Sequence, residues 1–352
     1  MSSLSVCMIV KNEEKVLNRC LQCVQKFADE IIVVDTGSTD KTIEIAKKYT
    51  KNVYFFDWKD DFSLARNYSV KFATCEYIMW LDADDVITDK NIAKINQLKN
   101  KLIAETYMLK YQIAFDENDN CTFEYFRERI VKNCSNAKFV GFVHEVIIPF
   151  GRIEYLDVAI EHRKIEAVRD TKRNLKIYKK NINNGVIFNQ REQFYYSKEL
   201  FYNKYYKKTI SNLKKFLKMQ NKFLPNIIDA YITISDCYFY LNDLKNSKKY
   251  LIESMNTSPP NALVCCKLGF IYIQENNYKN AIFWYKTALN CQKNKKSGEF
   301  IENDYFDFIP YLQLSFCYYY LNDYENFVKY HKKAKALKPY DKAILNNEKF
   351  VK

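Results

Sequence analysis

One short pattern recurs three times in the second half of this 352-residue chain: Leu241-Asn242-Asp243-Leu244-Lys245-Asn246, Glu275-Asn276-Asn277-Tyr278-Lys279-Asn280 and Leu321-Asn322-Asp323-Tyr324-Glu325-Asn326. Each copy follows an aromatic-rich helical segment, Tyr231–Tyr240, Leu263–Ile273 and Tyr311–Tyr320, and precedes another ending near Met255, Leu289 and Leu337. Leu244 to Tyr278 is 34 residues and Tyr278 to Tyr324 is 46, the surplus being the polar insert Gln292 to Asn303; a weaker copy begins at Tyr206. A helix–turn–helix unit at this period must stack on its neighbours to bury its apolar face. Such stacks offer a concave surface for binding or dimerisation, the alternative being helical packing without a partner.

The first half is built differently. Short β-branched runs at Ser5–Val10, Glu30–Val34, Val53–Phe56 and Tyr77–Leu81 alternate with amphipathic stretches at Glu13–Phe27, Asp40–Tyr49 and Phe62–Ala73. Strands and helices alternating at this spacing make βαβ units and a mostly parallel sheet. Ligands of such sheets bind beyond the carboxyl ends of the strands. Three polar clusters fall at those ends: Lys11-Asn12-Glu13-Glu14, Asp35 to Asp40, and Asp82-Ala83-Asp84-Asp85. After about Ala104 come longer alternating stretches, Tyr107–Phe115, Thr122–Val131, Phe139–Ile148 and Ile153–Ile160, which read as antiparallel or mixed additions to the sheet. From about Glu166 the pattern is helical throughout.

Composition narrows the class. With 48% hydrophobic residues the chain has material for two cores, and six Gly and six Pro exclude collagen-like or linker-type sequence. The run Leu4–Val10 is too short for a signal h-region, and no stretch approaches the ~20 apolar residues of a membrane span. Eleven Cys at irregular places read as reduced thiols of a cytoplasmic protein. Cys20-x-x-Cys23 has no second pair at metal-site spacing, and it reads as structural, like Cys265-Cys266. Residues 1–165 carry 23 basic against 25 acidic side chains, and the remainder 32 against 17. The basic excess suits an acidic partner or a solvated lysine-rich surface; no Arg-rich arm or nucleic-acid motif accompanies it.

Asp82-Ala83-Asp84 follows the apolar run Tyr77–Leu81 directly. Two carboxylates leaving a buried strand can share a hard cation such as Mg²⁺ or Mn²⁺. The competing reading is an acidic cap on the next helix, Thr88–Leu98. At the end of Val33–Val34, Asp35 can accept the imide N–H of a uracil, and Gly37 lets the backbone come close. Arg66, on the helix before the acidic strand, can offset phosphate charge. The chain has neither a Walker loop nor a dinucleotide Gly fingerprint, which argues against an ATPase or a dehydrogenase. Phe139 to Glu145 reads as a Gly-marked strand ending in His144 and Glu145, where either side chain could take a proton from an attacking hydroxyl or thiol. His162 also falls at a strand end, and His331 reads as a surface residue of the last repeat.

These motifs together resemble a family 2 glycosyltransferase of the GT-A fold over the first ~165 residues. The carriers are Val10-Lys11-Asn12-Glu13-Glu14, Val34 to Asp40, Asp61-Phe62-Ser63-Leu64-Ala65-Arg66-Asn67 and Trp80-Leu81-Asp82-Ala83-Asp84. The second half resembles tetratricopeptide repeats. Phe62 to Asn67 and Val143-His144-Glu145 make the chain similar to the branch holding glycocin peptide S-glycosyltransferases of the sublancin type and lipopolysaccharide-core glucosyltransferases.

The resemblance implies an α/β GT-A domain over 1–165, a linker helix region over 166–190 and all-α repeats over 191–352. It implies that Asp35 holds the uracil, that Val10, Glu13, Ser38 and Ala83 line the nucleotide-sugar pocket, and that Arg66 lies beside the phosphates. Asp82 would contact ribose or metal-bound waters, Asp84 would coordinate Mn²⁺ or Mg²⁺, and His162 would be a further metal ligand. Glu145 would be the catalytic base with His144 as its orienter. The implied activity is inverting transfer of a hexose from a UDP-sugar to a peptide Cys or Ser, with transfer to a lipopolysaccharide-core or surface-glycan acceptor and a non-catalytic repeat scaffold as alternatives. A homodimer through the repeats would be compatible with it.

Overall fold

Three runs of β-branched and apolar residues fix the centre of the first half: β1 (Leu4–Val10), β2 (Glu30–Asp35) and β4 (Tyr77–Leu81). Nearly every side chain in them is buried, as expected of strands covered on both faces. A computed structural model describes residues 2–164, 172–293 and 301–351. The chain divides into two compact units, Met1–Tyr195 and Tyr196–Lys352.

In the first unit the order of elements is β1, α1 (Leu17–Val24), β2, α2 (Thr42–Ala46), β3 (Val53–Phe55), α3 (Phe62–Val70), β4, β5 (Asp85–Val86) and α4 (Asp89–Leu98). There follow β6 (Thr106–Phe115), β7 (Cys121–Lys132), β8 (Phe139–Val140), β9 (Val146–Ile147), β10 (Ile153–His162) and α5 (Arg173–Asn183). The main sheet runs β3-β2-β1-β4-β7-β6-β10-β5. Its β3-β2-β1-β4 part is parallel, while β7 is antiparallel to both β4 and β6. This is the mixed α/β sheet expected from the strand–helix alternation. Register sets the working edge: Val10 lies opposite Asp35, and Met8 opposite Leu81, so β1, β2 and β4 end side by side.

Three local expectations need correction. Glu13–Phe27 and Asp40–Tyr49 are not helical throughout; α1 begins at Leu17 and α2 spans only Thr42–Ala46. The backbone N–H groups that would start those helices are engaged between the two loops instead. Asn12 N–H donates to Ser38 Oγ (2.9 Å), Glu13 N–H to Thr42 Oγ1 (2.7 Å), and Thr39 N–H to Asn12 Oδ1 (2.8 Å). Phe139–Ile148 is not a strand of the main sheet: only β8 and β9 are extended, paired with each other as a separate antiparallel hairpin. Gly141 (φ 101°) and His144 (φ 56°) break the extended path between them. The acidic cap proposed for the Thr88–Leu98 helix is also absent from Asp82–Asp84, because α4 starts seven residues after Asp82, at Asp89, with Thr88 in the capping place. The change of pattern near Glu166 lies outside the described residues, as does most of the Gln292–Asn303 insert.

The second unit is helical. Helix α6 (Gln190–Tyr202), whose first six residues belong to the first unit, is followed by α7 (Tyr206–Leu217), α8 (Leu224–Tyr240), α9 (Leu244–Ser254), α10 (Ala262–Gln274), α11 (Tyr278–Leu289), α12 (Phe308–Tyr320), α13 (Tyr324–Leu337) and α14 (Lys342–Asn347). The repeated hexapeptide is the turn that joins helix pairs. Asn242, Asn276 and Asn322 take φ of 60°, 56° and 58°, a region Asn tolerates better than most residues. The next residue caps the following helix: Asp243, Asn277 and Asp323 accept from the backbone N–H of Asn246, Asn280 and Asn326. On α10, Gly269 lets the Tyr285 ring come close, since a Cβ there would lie 2.7 Å from it. His331 is a correction. It is 2% exposed, in a buried stripe with Phe327 and Ala334 on α13 that helical spacing places on one face.

Candidate active site

The loops at the carboxyl edge of β1, β2 and β4 bring most of the predicted residues to one place. Asp35, the last residue of β2, is buried, and its carboxylate accepts the backbone N–H groups of Gly37 (2.9 Å) and Ser38 (3.0 Å). Gly37 sits at φ 101°, which a side chain would strain. Val10 ends β1 beside it, with its carbonyl accepting from Thr36 N–H and Oγ1. Ser38 accepts from Asn12, and Glu13 is tied through its amide to Thr42, so the first two polar clusters form one laced rim.

After β4 the chain turns sharply at Asp82-Ala83-Asp84-Asp85. Ala83 is buried, Asp82 is partly exposed, and the Asp85 carboxylate accepts the Asp82 N–H at 2.9 Å. His162, the last residue of β10, lies opposite Asp85 in the β5–β10 ladder. Its Nδ1 is 3.2 Å from Asp84 Oδ1 and 3.3 Å from Asp85 Oδ1. Burial would push the imidazole pKa down, but these two carboxylates outweigh it and hold it at about 9.

The donor set of Asp84, Asp85 and His162 lies within 4.8 Å and could hold a metal ion. Carboxylate oxygens with one imidazole nitrogen suit Mn²⁺ and, less selectively, Mg²⁺. Asp84 and His162 were expected there. Asp85 was not, although its place directly after the Asp-Ala-Asp triplet was a signal.

Arg66 does not stand free at the pocket. It is 5% exposed on α3, where its Nη2 donates to Asp82 Oδ1 (2.6 Å) and its Nε to Glu145 Oε1 (2.5 Å). Burial disfavours the guanidinium charge, but the two carboxylates more than restore it. Asp82 answers in kind: burial would raise its pKa, yet Arg66, Arg129 and His162 hold it well below the usual carboxylate range. The expectation of an Arg beside phosphate becomes an Arg that ties two of the candidate acids together.

Glu145 is buried in the loop between β8 and β9. Phe142 carbonyl accepts from Phe62 N–H (2.9 Å), Glu145 carbonyl from Arg127 Nη2 (3.0 Å), and His144 carbonyl from Arg191 Nη2 (2.7 Å). The His144 ring stacks on Tyr195, centroids 4.6 Å apart. His144 is thus engaged with Arg191 and Tyr195, both of the first unit, rather than grouped with Asp84 and His162.

Sequence reasoning missed the floor beneath these acids. Arg66, Arg127 and Arg129 place their guanidinium carbons 4.6, 4.7 and 3.8 Å from the centroid of Trp80, the fully buried indole of β4. Arg129 sits on an inward position of β7 at 0% exposure, held by Asp85 Oδ2 (3.1 Å) and the Trp80 carbonyl (3.0 Å). A signal existed: Arg127-Glu128-Arg129 interrupts a strand that is otherwise apolar toward Ile130-Val131.

Comparison with known proteins gives the family. The Glycosyl transferase family 2 model matches residues 5–224, and a Tetratricopeptide repeat model matches 228–261 and 262–294. The chain belongs to Glycosyl transferase family 2, with C-terminal tetratricopeptide repeats. It is 29% identical over 269 residues to the SPbeta prophage-derived glycosyltransferase SunS of Bacillus subtilis, covering 69% of this chain and 60% of SunS. It is 34% identical over 148 residues to a TPR repeat-containing protein of Synechococcus elongatus, covering 42% of this chain and 36% of that protein. The chain thus spans about a third to three-fifths of the length of these curated relatives. Among solved structures, S. aureus TarS 1-349 in complex with UDP-GlcNAc superposes with a TM-score of 0.39 at 14% identity, over 83% of this chain and 93% of that one. No helix among the described residues is long and apolar enough to cross a membrane.

Proposed function

We propose that the chain is a metal-dependent, inverting hexosyltransferase that uses a UDP-sugar and acts on a Cys or Ser of a peptide in the cytoplasm. The observation that carries this reading is the Arg66 bridge, which joins Asp82 at the nucleotide edge to Glu145 on the β8–β9 loop. It makes one site of two motifs that are distant in sequence. Family membership supports the donor class, and the acidic turn at the ends of β1, β2 and β4 supports the position.

In this reading Asp35 accepts the uracil N–H while Val10, Glu13, Ser38 and Ala83 close around the nucleoside. Asp84 and His162 would hold Mn²⁺ or Mg²⁺, with Asp82 toward the ribose or the hydration shell. A bound divalent ion would neutralise the negative charge that grows on the departing diphosphate. Glu145 takes the proton of the acceptor as it attacks the anomeric carbon from the face opposite the diphosphate, which inverts that carbon. Arg66 keeps the Glu145 carboxylate aimed while it waits. A thiol, with an ordinary pKa near 8.5, asks less of such a base than a hydroxyl does.

The peptide acceptor rests on the repeats, whose stacked helix pairs suit an extended chain. The test is mass spectrometry of Cys- and Ser-containing peptides incubated with Mn²⁺ and a panel of UDP-sugars. A hexose mass increment on one residue supports the reading. Transfer confined to glycan acceptors would overturn the peptide assignment, and absence of any UDP release would overturn the activity.

A further inference from the structure

We propose that Asp85 is a positioning residue that orients His162 and the Asp82–Asp84 turn for the divalent cation and is not itself one of the cation's ligands. The inference rests on the cation reading above. A carboxylate has about four lone-pair directions to offer. At Asp85 three meet donors of this chain outright, Asp82 N–H (2.9 Å) and Arg129 Nη1 (3.1 Å) at Oδ2 and Tyr111 Oη–H (2.9 Å) at Oδ1, and the fourth faces His162 Nδ1 (3.3 Å), which Asp85 shares with Asp84 Oδ1 (3.2 Å). The side chain is 0% exposed, so water contributes nothing further.

Those donors are themselves fixed. Arg129 is wedged between the rings of Trp80 and Tyr111, at 3.8 and 4.2 Å, and its Nε and Nη2 make no hydrogen bond among the described residues. A guanidinium that leaves two nitrogens unsatisfied in a dry pocket, while keeping Nη1 on Asp85, is held there by shape and by charge. The Arg129 charge offsets that of Asp85, as Arg66 offsets that of Asp82. Backbone pairing adds the last restraint, because Asp85 and His162 face each other across the β5–β10 ladder. Asp85 therefore sets the ring of His162 from one side and the amide of Asp82 from the other. Carboxylates behind a metal-binding histidine commonly act in this way.

The experiment is Mn²⁺ binding to the donor-free full chain, followed by electron paramagnetic resonance of the free ion. The wild type is expected to take up one Mn²⁺. Asp85→Asn, which keeps the shape and loses the charge, should still bind one ion but roughly 10- to 100-fold more weakly. Asp84→Asn should show no uptake in the same range. If Asp85→Asn loses the ion as completely as Asp84→Asn, Asp85 is a ligand and the proposal is wrong; unchanged affinity overturns it equally. Should Asp85→Asn fail to fold by circular dichroism, Tyr111→Phe decides, since it removes one donor to Asp85 and keeps every carboxylate. It should weaken Mn²⁺ binding several-fold while the far-ultraviolet dichroism stays that of the wild type, whereas tighter or equal binding overturns the proposal. A wild type that takes up no Mn²⁺ would instead remove the cation reading, and this inference with it.

Discussion

Glu145 and Asp82 accept from two neighbouring nitrogens of one guanidinium, with Arg66 Nε 2.5 Å from Glu145 and Nη2 2.6 Å from Asp82. A buried cation shared by two acids is costly to remove, because both are then left with unpaired charge. Arg66→Met should destabilise the first unit by about 3 kcal/mol or more. Arg66→Lys should recover only part of this, since a single ammonium cannot reproduce a planar group that donates from two separate nitrogens. Urea denaturation of the two variants measures the difference, and equal stability of wild type and Arg66→Met would remove the bridge as a structural element.

Glu145→Gln should retain UDP-sugar binding while transfer falls by at least about 100-fold, the ordinary contribution of a general base. Calorimetry reads the first and product mass spectrometry the second. Undiminished transfer would move the base to another residue.

Asp84→Ala should abolish Mn²⁺-stimulated turnover of the sugar nucleotide and leave the far-ultraviolet dichroism unchanged. Near-normal turnover with Mn²⁺ present would deny Asp84 its metal role.

The His162 imidazole is held at about 9 by Asp84 and Asp85 against the opposing effect of burial. A group whose folded pKa is raised stabilises the fold fully below its unfolded value, near 6.5, and loses that contribution as pH climbs through the folded value. Metal-free protein should therefore lose stability, on the order of 3 kcal/mol, between about pH 6.5 and pH 9. His162→Gln should flatten this part of the profile. Thermal melts in a chelator across that range check it, and a wild-type profile as flat as that of His162→Gln would show that the pair carries no such linkage.

Gly269→Ala should destabilise the repeats by about 1–3 kcal/mol, because the added methyl meets the Tyr285 ring at 2.7 Å in a close-packed helix pair. The measurement is the denaturation midpoint of the second unit, and an unshifted midpoint would mean that the ring moves aside freely.

The first-half strands and the repeat turns were legible because their signals are local. β-branched runs, a Gly soon after Asp35 and the Asn-Asp or Asn-Asn turns each declare their backbone within a few residues. What could not be read was the destination of side chains across long separations. The Asn12–Glu14 amides look like a helix start until their partners at Ser38 to Thr42 are known. His331 looks exposed in a lysine-rich stretch until the stripe of Phe327 and Ala334 is seen to face inward. At the site, Asp35, Asp82, Asp84 and His162 could be singled out because they stand at or just after strand ends. Arg129 and Tyr111 were not, since a buried Arg is intelligible only once Asp85 and the Trp80 ring stand beside it.

The left-handed asparagines at 242, 276 and 322 close each hairpin with hydrogen bonds from the turn back to the last turn of the helix before it. Nothing distant is needed to bend the chain back, so a hairpin can be gained or lost as a block without resetting its neighbours' internal geometry. Assembly of this half then proceeds through contacts between sequence neighbours, the kind of topology that reaches its native state quickly. The length of the array is accordingly a dimension that evolution can adjust while the sheet of the first unit stays as it is.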